Sequence, residues 1–297
     1  MRKLLVFASF AVLLFGCDKV MLPRPRVETP STPVSDTIRK VFIEDFTGHT
    51  CPNCARGTRM IDSLAHAYPG HIIDMGIHIN YFAGPCPSAQ PYPAGGPWPS
   101  GAWSEDFRVP EEADYDATFG SSNFGQPSGF VNRCGRGQYP LLQEIDPSDW
   151  PSKVDSLLAI PMDAYIKLTP HYIASSRVLK VDVSGEFMKD TSGTFKIELF
   201  LVESGLHGYQ VDNSIIPAGY DANYDFHNVF RGSIIAPGSI QGQTIVTGTV
   251  TNHTAISYTS PSFIIPAAYN DANCKVIGIL FKSTDYGVLQ AAECDVQ

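Results

Sequence analysis

The first clear hydrophobic pattern in the chain is a strand, an amphipathic helix and a second strand. Lys40–Phe46 is a short, apolar-rich run that predicts a strand. Apolar residues then recur at i, i+3 and i+4 spacing until Pro69 and Gly70, which predicts a helix. The residues of this helical pattern are Met60, Ile61, Leu64, Ala65 and Tyr68. Ile72–Ile79 alternates as a strand does, so we expect it to pair in parallel with the first strand.

The pattern changes after two further helices, predicted at Pro110–Phe119 and Pro147–Ile160. Beyond Pro161, short β-rich runs are separated by Gly, Asn, Asp and Pro clusters. These runs are Tyr165–Leu168, His171–Ala174, Val178–Phe187, Thr194–Glu203, Thr244–Val250, Ser262–Ile265, and a hairpin of Lys275–Lys282 and Val288–Ala292. We therefore predict an α/β domain at 39–161 and an all-β, immunoglobulin-like sandwich at 162–297.

The N-terminus predicts export. Leu4–Phe15 is an apolar run behind two basic residues, and it is shorter than the roughly 20 residues that span a bilayer. Leu14-Phe15-Gly16-Cys17 resembles a bacterial lipobox, so 1–17 is predicted to be a lipoprotein signal peptide with Cys17 as the lipidated residue. The alternative is an ordinary signal peptide with a chance cysteine. The proline-rich segment 18–38 predicts a flexible tether to a membrane of the cell envelope, with the outer membrane as the expected site.

Composition narrows the classes of function. The net charge of −9 and the pI near 5.3 argue against nucleic-acid binding, which needs a surplus of basic side chains. No cofactor is expected. Asp221, Asp225 and His227 have ligand chemistry but no recognisable metal spacing, so no metal site is assigned.

Six cysteines remain after Cys17, an even number that implies disulfides in an exported chain. They are Cys51, Cys54, Cys86, Cys134, Cys274 and Cys294. Cys274 and Cys294 lie ten residues either side of Thr284, within the predicted C-terminal hairpin. Opposed residues of a hairpin lie within disulfide range, so we predict that these two are bonded. Cys86 and Cys134 are then left to pair with each other.

The motif Cys51-Pro52-Asn53-Cys54, called CPNC below, lies immediately before the first predicted helix. Free amides and the helix dipole favour a thiolate there, so we expect Cys51 to be acidified and to lie at the mouth of the domain. One alternative is zinc, but Cys86 and Cys134 are isolated in sequence. Another alternative is a permanently oxidised, structural bridge. His49 either tunes the thiolate or faces solvent.

This segment resembles the thioredoxin superfamily. Asp45 lies six residues before Cys51, and Gly125–Asn132 places Pro127 ahead of an apolar strand. The resemblance implies that Cys51 is the attacking nucleophile, that Cys54 resolves the mixed disulfide, and that Asp45 assists proton transfer to the Cys54 thiol. It also implies that Pro127 is a cis-proline facing the site.

A long insert at 80–109, rich in proline, glycine and aromatic residues, separates the CPNC motif from Pro127. Ordered loops of this length are uncommon and are often functional, so the insert is interpreted as a substrate-facing lid. The alternative is a packing loop.

Four stretches resemble a family of Bacteroidota lipoproteins related to outer membrane protein twenty-eight: Phe42–Leu64, Pro127–Arg133, Tyr224–Arg231 and Val276–Val296. The resemblance implies a lipid-anchored envelope protein with a thioredoxin-like domain followed by a β-sandwich. The function we predict is thiol–disulfide oxidoreductase activity on envelope proteins that carry thiols or disulfides. The alternative is a non-catalytic surface or periplasmic binding lipoprotein that uses the thioredoxin fold as a scaffold.

Overall fold

A computed structural model of the chain describes residues 38–85, 102–123, 125–134, 146–217 and 219–297, which belong to one compact unit. Its helices are α1 (Ala55–Ala67), α2 (Glu112–Phe119) and α3 (Trp150–Leu158). Its strands are β1 (Val41–Thr47), β2 (Ile72–His78), β3 (Ser128–Val131), β4 (Ala164–Ile173), β5 (Val178–Phe187), β6 (Thr191–Glu203), β7 (Leu206–Val211), β8 (Tyr220–Phe226), β9 (Val229–Ser233), β10 (Gln243–Val250), β11 (Ala255–Thr259), β12 (Phe263–Ile264), β13 (Cys274–Lys282) and β14 (Val288–Asp295). The predicted signal peptide, Cys17, all of the predicted tether but Ile38, and Cys86 lie outside the described residues.

The predicted strand, helix, strand unit is confirmed. Strands β1 and β2 pair in parallel, with Val41 opposite Ile72 and Thr47 opposite His78. Helix α1 connects them and ends at Ala67, with Tyr68 as its C-cap directly before Pro69 and Gly70. The apolar side chains of α1 and α3 pack on the same face of β1, in a cluster of Val41, Ile43, Ile61, Leu64, Val131, Trp150, Val154 and Leu157. Burial of this shared apolar surface holds both helices to the sheet.

One large sheet runs through both halves of the chain, in the order β14-β13-β6-β9-β2-β1-β3, with β10 beside β6. The halves join where Gly76 of β2 pairs in parallel with Val229 of β9. The face of the sheet opposite α1 buries a cluster to which both halves contribute, including Phe42, Met75, Phe200, Phe230 and Ile277. Strands from both sides of residue 161 share this sheet. The division into two domains at 161 therefore stays a prediction about which segments fold as units.

A second sheet of β4, β5, β11 and β12 packs in a sandwich-like manner on the C-terminal strands of the large sheet. The chain is therefore a mixed α/β protein with sandwich-like packing in its C-terminal half. The predicted strand Val178–Phe187 has the bounds of β5. The runs predicted at Tyr165–Leu168 and His171–Ala174 are β-strand except for Ala174, but the break between them is wrong, because β4 runs unbroken through Pro170. Among the described strands β4 pairs with β5 alone, and an edge position tolerates a residue that lacks an N–H.

The C-terminal hairpin is confirmed, but the predicted disulfide between Cys274 and Cys294 is wrong: both are free thiols. Cys294 lies opposite Val276, two residues from Cys274, and a bulge between Leu280 and Phe281 contributes to this shift in register. Diagonal neighbours on paired strands are about 7–8 Å apart, beyond the usual disulfide range. Burial raises the pKa of each thiol to about 12.

Candidate functional site

The CPNC motif forms a disulfide at the start of α1. Cys51 and Cys54 are bonded, with their Cα atoms 5.4 Å apart, and Cys54 is the residue that caps α1. The Gly57 N–H donates to Cys54 O at 2.8 Å, and the Cys51 N–H donates to Gly48 O at 3.0 Å. The motif is therefore held between a turn that leaves β1 and the first turn of the helix, as predicted. Its redox activity is not shown by this geometry.

Asp45 lies beneath the same helical turn. It is buried, and a methyl group built on Gly57 would come within 3.0 Å of its Oδ2 atom. Its Oδ1 atom has no hydrogen-bond partner. Burial, reinforced by the nearby Asp74, raises the pKa of Asp45 to about 8. A neutral carboxyl is thus kept next to the backbone of the turn that begins at Cys54.

Pro127 lies at the same end of the sheet. Strand β3 runs antiparallel to β1, with Ser128 opposite Phe46, so the residue before Ser128 lies toward the end of β1 from which the chain continues to CPNC. The peptide bond from Gln126 to Pro127 is cis. The Gln126 side-chain amide donates to Thr47 O at 2.7 Å and to Ile79 O at 2.6 Å, which fixes this segment to the ends of β1 and β2.

The expectation that the Cys51 sulfur lies at an open mouth is wrong, because Cys51 and Cys54 are both 0% exposed. One element against this loop is the hairpin of β7 and β8, a separate two-stranded sheet inserted between β6 and β9. The Val211 N–H donates to His49 O at 2.9 Å, and the Asn213 N–H donates to Pro52 O at 3.0 Å. These contacts place the hairpin along the loop that carries the disulfide.

The described ends of the insert at 80–109 also contact this loop. Trp103 Nε1 donates to His49 O at 2.9 Å, and Phe82 O accepts from both the N–H and the hydroxyl of Thr50. Residues 86–101 of the insert lie outside the described residues. The described parts therefore pack against the CPNC loop, and whether the whole insert acts as a lid stays a prediction.

A buried pair of histidines adjoins the loop. His49 is buried, which excludes the solvent-facing alternative, and one of its ring nitrogens lies 2.9 Å from Gly84 O. His78, at the end of β2, has no hydrogen-bond partner on either ring nitrogen and packs on Phe107 and Phe226. Burial lowers the pKa of both histidines, that of His78 well below its usual range. They are therefore uncharged at neutral pH and give the loop an apolar wall.

The contacts of the hairpin with CPNC had no sequence signal. Gln210 is separated from Cys51 by 159 positions, yet its side-chain amide donates to Cys51 O at 3.2 Å. The resemblance at Tyr224–Arg231 marks the end of this hairpin but not its role. Cys134 is a free thiol, and its predicted partner Cys86 lies outside the described residues.

No three His, Cys, Asp or Glu side chains come together as a metal site in the described part of the chain. Nor does any helix there have the length and apolar character needed to cross a membrane.

No protein-family model and no curated protein matches the chain. Among solved structures it is similar to HBP35 of Porphyromonas gingivalis, with a TM-score of 0.62, 13% identity, and coverage of 87% of this chain and 76% of that one. Weaker likenesses are to protein AGR_C_4864 from Agrobacterium tumefaciens (TM-score 0.46, 11% identity, 88% of this chain and 96% of that one) and to a domain of the outer membrane lipoprotein Omp28 from Porphyromonas gingivalis (TM-score 0.28, 13% identity, 46% and 89%). Of these three likenesses the one to HBP35 has a TM-score above 0.5, and at this identity it shows a common fold alone.

Proposed function

We propose that the protein is a lipid-anchored envelope protein with thioredoxin-like thiol–disulfide oxidoreductase activity at Cys51 and Cys54. The observation that carries the proposal is the Asp45 carboxyl, buried beneath the turn that begins at Cys54 with one oxygen lacking a partner. A buried, unsatisfied carboxyl lowers stability, so a purely structural disulfide gives no reason to keep one here. A proton acceptor beside Cys54 is what the resolving step of disulfide exchange needs.

The thioredoxin-like assignment is supported by the order of elements around the site. A parallel β1-α1-β2 unit carries the CPNC motif before its helix, and the cis-proline Pro127 leads into the antiparallel strand β3. Location in the envelope is supported by the sequence alone, through the lipobox at Cys17 and the tether 18–38.

The chemistry is a two-electron exchange. In the reduced protein the Cys51 thiolate attacks one sulfur of a substrate disulfide, and the other substrate sulfur leaves as a thiolate. In molecules whose Asp45 is ionised, the Cys54 thiol gives its proton to the Asp45 carboxylate and attacks the Cys51 sulfur, which releases the second substrate sulfur. The CPNC pair is thereby oxidised and the substrate disulfide is reduced to two thiols. Another turnover in this direction needs an external dithiol, which supplies two electrons and two protons.

Trapping tests this assignment. The variant Cys54→Ser lacks the resolving sulfur, so after reduction it is expected to accumulate mixed disulfides with envelope proteins on Cys51, seen as thiol-sensitive species on non-reducing gels. Two controls, Cys51→Ser and Cys294→Ser, are expected to trap nothing. Equal trapping by Cys51→Ser, or none by Cys54→Ser, would contradict the roles assigned to the two cysteines.

The second candidate is a binding lipoprotein in which the disulfide is structural. The observation that favours it is the complete burial of both sulfurs. A redox titration separates the two candidates, since structural disulfides have potentials below about −300 mV and cycling pairs lie at roughly −120 to −270 mV. We expect the CPNC pair within the cycling range. A potential below that range, with no turnover of a model disulfide, would instead support the binding lipoprotein.

A further inference from the structure

Burial of a disulfide that is expected to exchange with other molecules requires some element to move. The β7–β8 hairpin is suited to that movement because it forms a sheet of its own. Its side chains pack in two small clusters with residues of the insert, one around Trp103 and Val211 and the other around Phe107 and Phe226. Both clusters are separate from the three larger clusters of the core. Displacing the hairpin tip therefore disrupts little of the main hydrophobic core.

The base of the hairpin is fixed, and residues with left-handed backbone flank it. Gly205 precedes β7 with φ of 70°, and Asn228 follows β8 with φ of 45°. The Ser204 hydroxyl accepts from the Asn228 N–H at 2.9 Å, which ties the two ends of the hairpin together. Two strands held at the base and free of the larger sheets can pivot as a unit.

The distal end is held to the CPNC loop by a row of contacts. The N–H groups of Val211 and Asn213 donate to His49 O and Pro52 O. The first of these donors is the last residue of β7, and the second is in the turn that follows it. The side-chain amide of Gln210 adds a donor to Cys51 O. The distal end of the hairpin thus donates hydrogen bonds to three carbonyls of the loop, those of His49, Cys51 and Pro52.

One ion pair fastens this end to α1. Arg59 Nη1 lies 2.5 Å from Asp212 Oδ2, with the Asp212 side chain buried and the Arg59 side chain 51% exposed. Asp212 Oδ1 accepts from the N–H and the hydroxyl of Ser214, so its carboxylate is held in place from the hairpin side. Arg59 lies five positions after Cys54, so the ion pair spans the start of the helix that carries the disulfide.

We propose that the β7–β8 hairpin is an autoinhibitory cover of the CPNC disulfide, latched by Arg59 and Asp212, and that its displacement exposes the sulfurs. The proposal rests on the proposed function, because it names how access to that site is controlled. In the closed form neither a thiol nor a substrate reaches Cys51. A partner that takes over the carbonyls of His49 and Pro52 displaces the hairpin and gains access to the disulfide at once.

The test measures the rate at which dithiothreitol reduces the disulfide of the folded, oxidised protein. A dithiothreitol thiolate attacks the CPNC disulfide to form a mixed disulfide, and its second thiol closes the ring and releases both cysteines as thiols. Timed quenching with a thiol-reactive mass tag follows the reaction. The variant Arg59→Gln breaks the latch, and Arg56→Gln is the matched control, because Arg56 lies on the same helix and pairs with Asp146 away from the hairpin.

Arg59→Gln is expected to accelerate reduction about two- to fivefold, the range that a half-exposed ion pair supports, while Arg56→Gln reacts at the wild-type rate. Asp212→Asn is expected to accelerate it at least as much, since it removes the charge that pairs with Arg59 and leaves a weaker acceptor for Ser214. Loss of the positive charge of Arg59 by itself disfavours the approach of a dithiothreitol thiolate. Acceleration in Arg59→Gln therefore cannot come from the loss of that charge. Equal rates in all proteins, or equal acceleration by Arg56→Gln, would overturn the proposal.

Hydrogen exchange distinguishes local opening of the hairpin from a loss of overall stability. In Arg59→Gln the N–H groups of Val211 and Asn213 are expected to exchange faster, while those of β1 keep their wild-type protection. Faster exchange throughout β1 would mean global unfolding and would also overturn the cover. If the latch variants accelerate reduction and no variant turns over a model disulfide, the cover stands and the oxidoreductase assignment fails. The converse result, turnover with a latch that has no effect, rejects the cover alone.

Discussion

At the scale of single residues, Asp45 makes stability depend on pH. Its pKa is raised from 3.8 to about 8 by burial and by Asp74. Between these values the unfolded chain is ionised while the native state keeps its proton, so the free energy of unfolding falls as pH rises through this window. Asp45→Asn removes the titrating group and is expected to stabilise the oxidised protein by about 5 kcal/mol at pH 8 and by little at pH 4. Urea unfolding at pH 4, 6 and 8 measures this difference.

A control for the loss of any carboxylate is Asp62→Asn, on the exposed side of the same helix. It is expected to leave the slope of stability against pH close to that of the wild type. If Asp45→Asn raised the free energy of unfolding by the same amount from pH 4 to pH 8, Asp45 would be ionised in the native state as it is in the unfolded chain. The pKa of Asp45 would then not be raised, and its carboxylate would be too weak a base to accept the Cys54 proton as proposed.

The residues that carry the proposed chemistry could be predicted from the sequence, but the burial of their sulfurs could not. Cys51 and Cys54 could be predicted because they lie in one continuous strand, loop and helix, and Asp45 came from the resemblance to thioredoxins. Pro127 came from a resemblance, and pairing of β3 with β1 brings it to the same end of the sheet. The contacts of Val211 and Asn213 with the loop that carries the buried sulfurs are made by backbone donors, which carry no sequence signature.

At the scale of elements, a buried ion pair joins β1 to the segment after β3. Arg133 Nε donates to Glu44 Oε2 at 2.7 Å, its Nη2 donates to Glu44 Oε1 at 2.5 Å, and Tyr115 of α2 donates its hydroxyl to the same carboxylate. Both side chains of the pair are 0% exposed. Glu44→Gln leaves the guanidinium without a counterion, so it is expected to lower the free energy of unfolding by about 3–5 kcal/mol in chemical denaturation.

The matched comparison is Glu293→Gln, which removes one partner of the half-exposed pair between Lys275 and Glu293. Solvent screens that pair, so the expected loss is less than about 1 kcal/mol. If the two variants were equally stable, water would have to reach Arg133, and its burial at the junction of β1, β3 and α2 would be wrong.

Elements with a strong period were predictable, and elements defined by tertiary contacts were not. Helix α1 and strands β1 and β2 follow directly from apolar spacing. Strand β8 carries Asp221, Asn223 and Asp225, residues that are depleted in strands, so nothing in its sequence indicates pairing. The predicted register of β13 and β14 was wrong for another reason. A bulge changes which residues are opposed without changing the hydrophobic pattern.

At the scale of the whole molecule, the shared sheet predicts that the two halves of the chain fold together. Strand β2 is hydrogen-bonded on one side to β1 and on the other to β9, which follows it by some 150 residues in sequence. The aromatic cluster on that face combines Phe42 and Phe46 with Phe200 and Phe230. A protein cut at 161 would expose the half of this core that the N-terminal segment contributes.

We therefore expect residues 38–297 to unfold in a single calorimetric transition, with equal calorimetric and van't Hoff enthalpies. The segment 38–161 alone is expected to lack a transition and to show no protection from hydrogen exchange in β2, because loss of β9 leaves one edge of that strand unpaired and apolar. Adding 162–297 in trans should restore protection if the two pieces assemble. A separate, reversible transition of 38–161 would instead support two domains divided at 161. In that case the hairpin would cover the CPNC loop across a domain boundary, and access to the disulfide would depend on how the two domains dock.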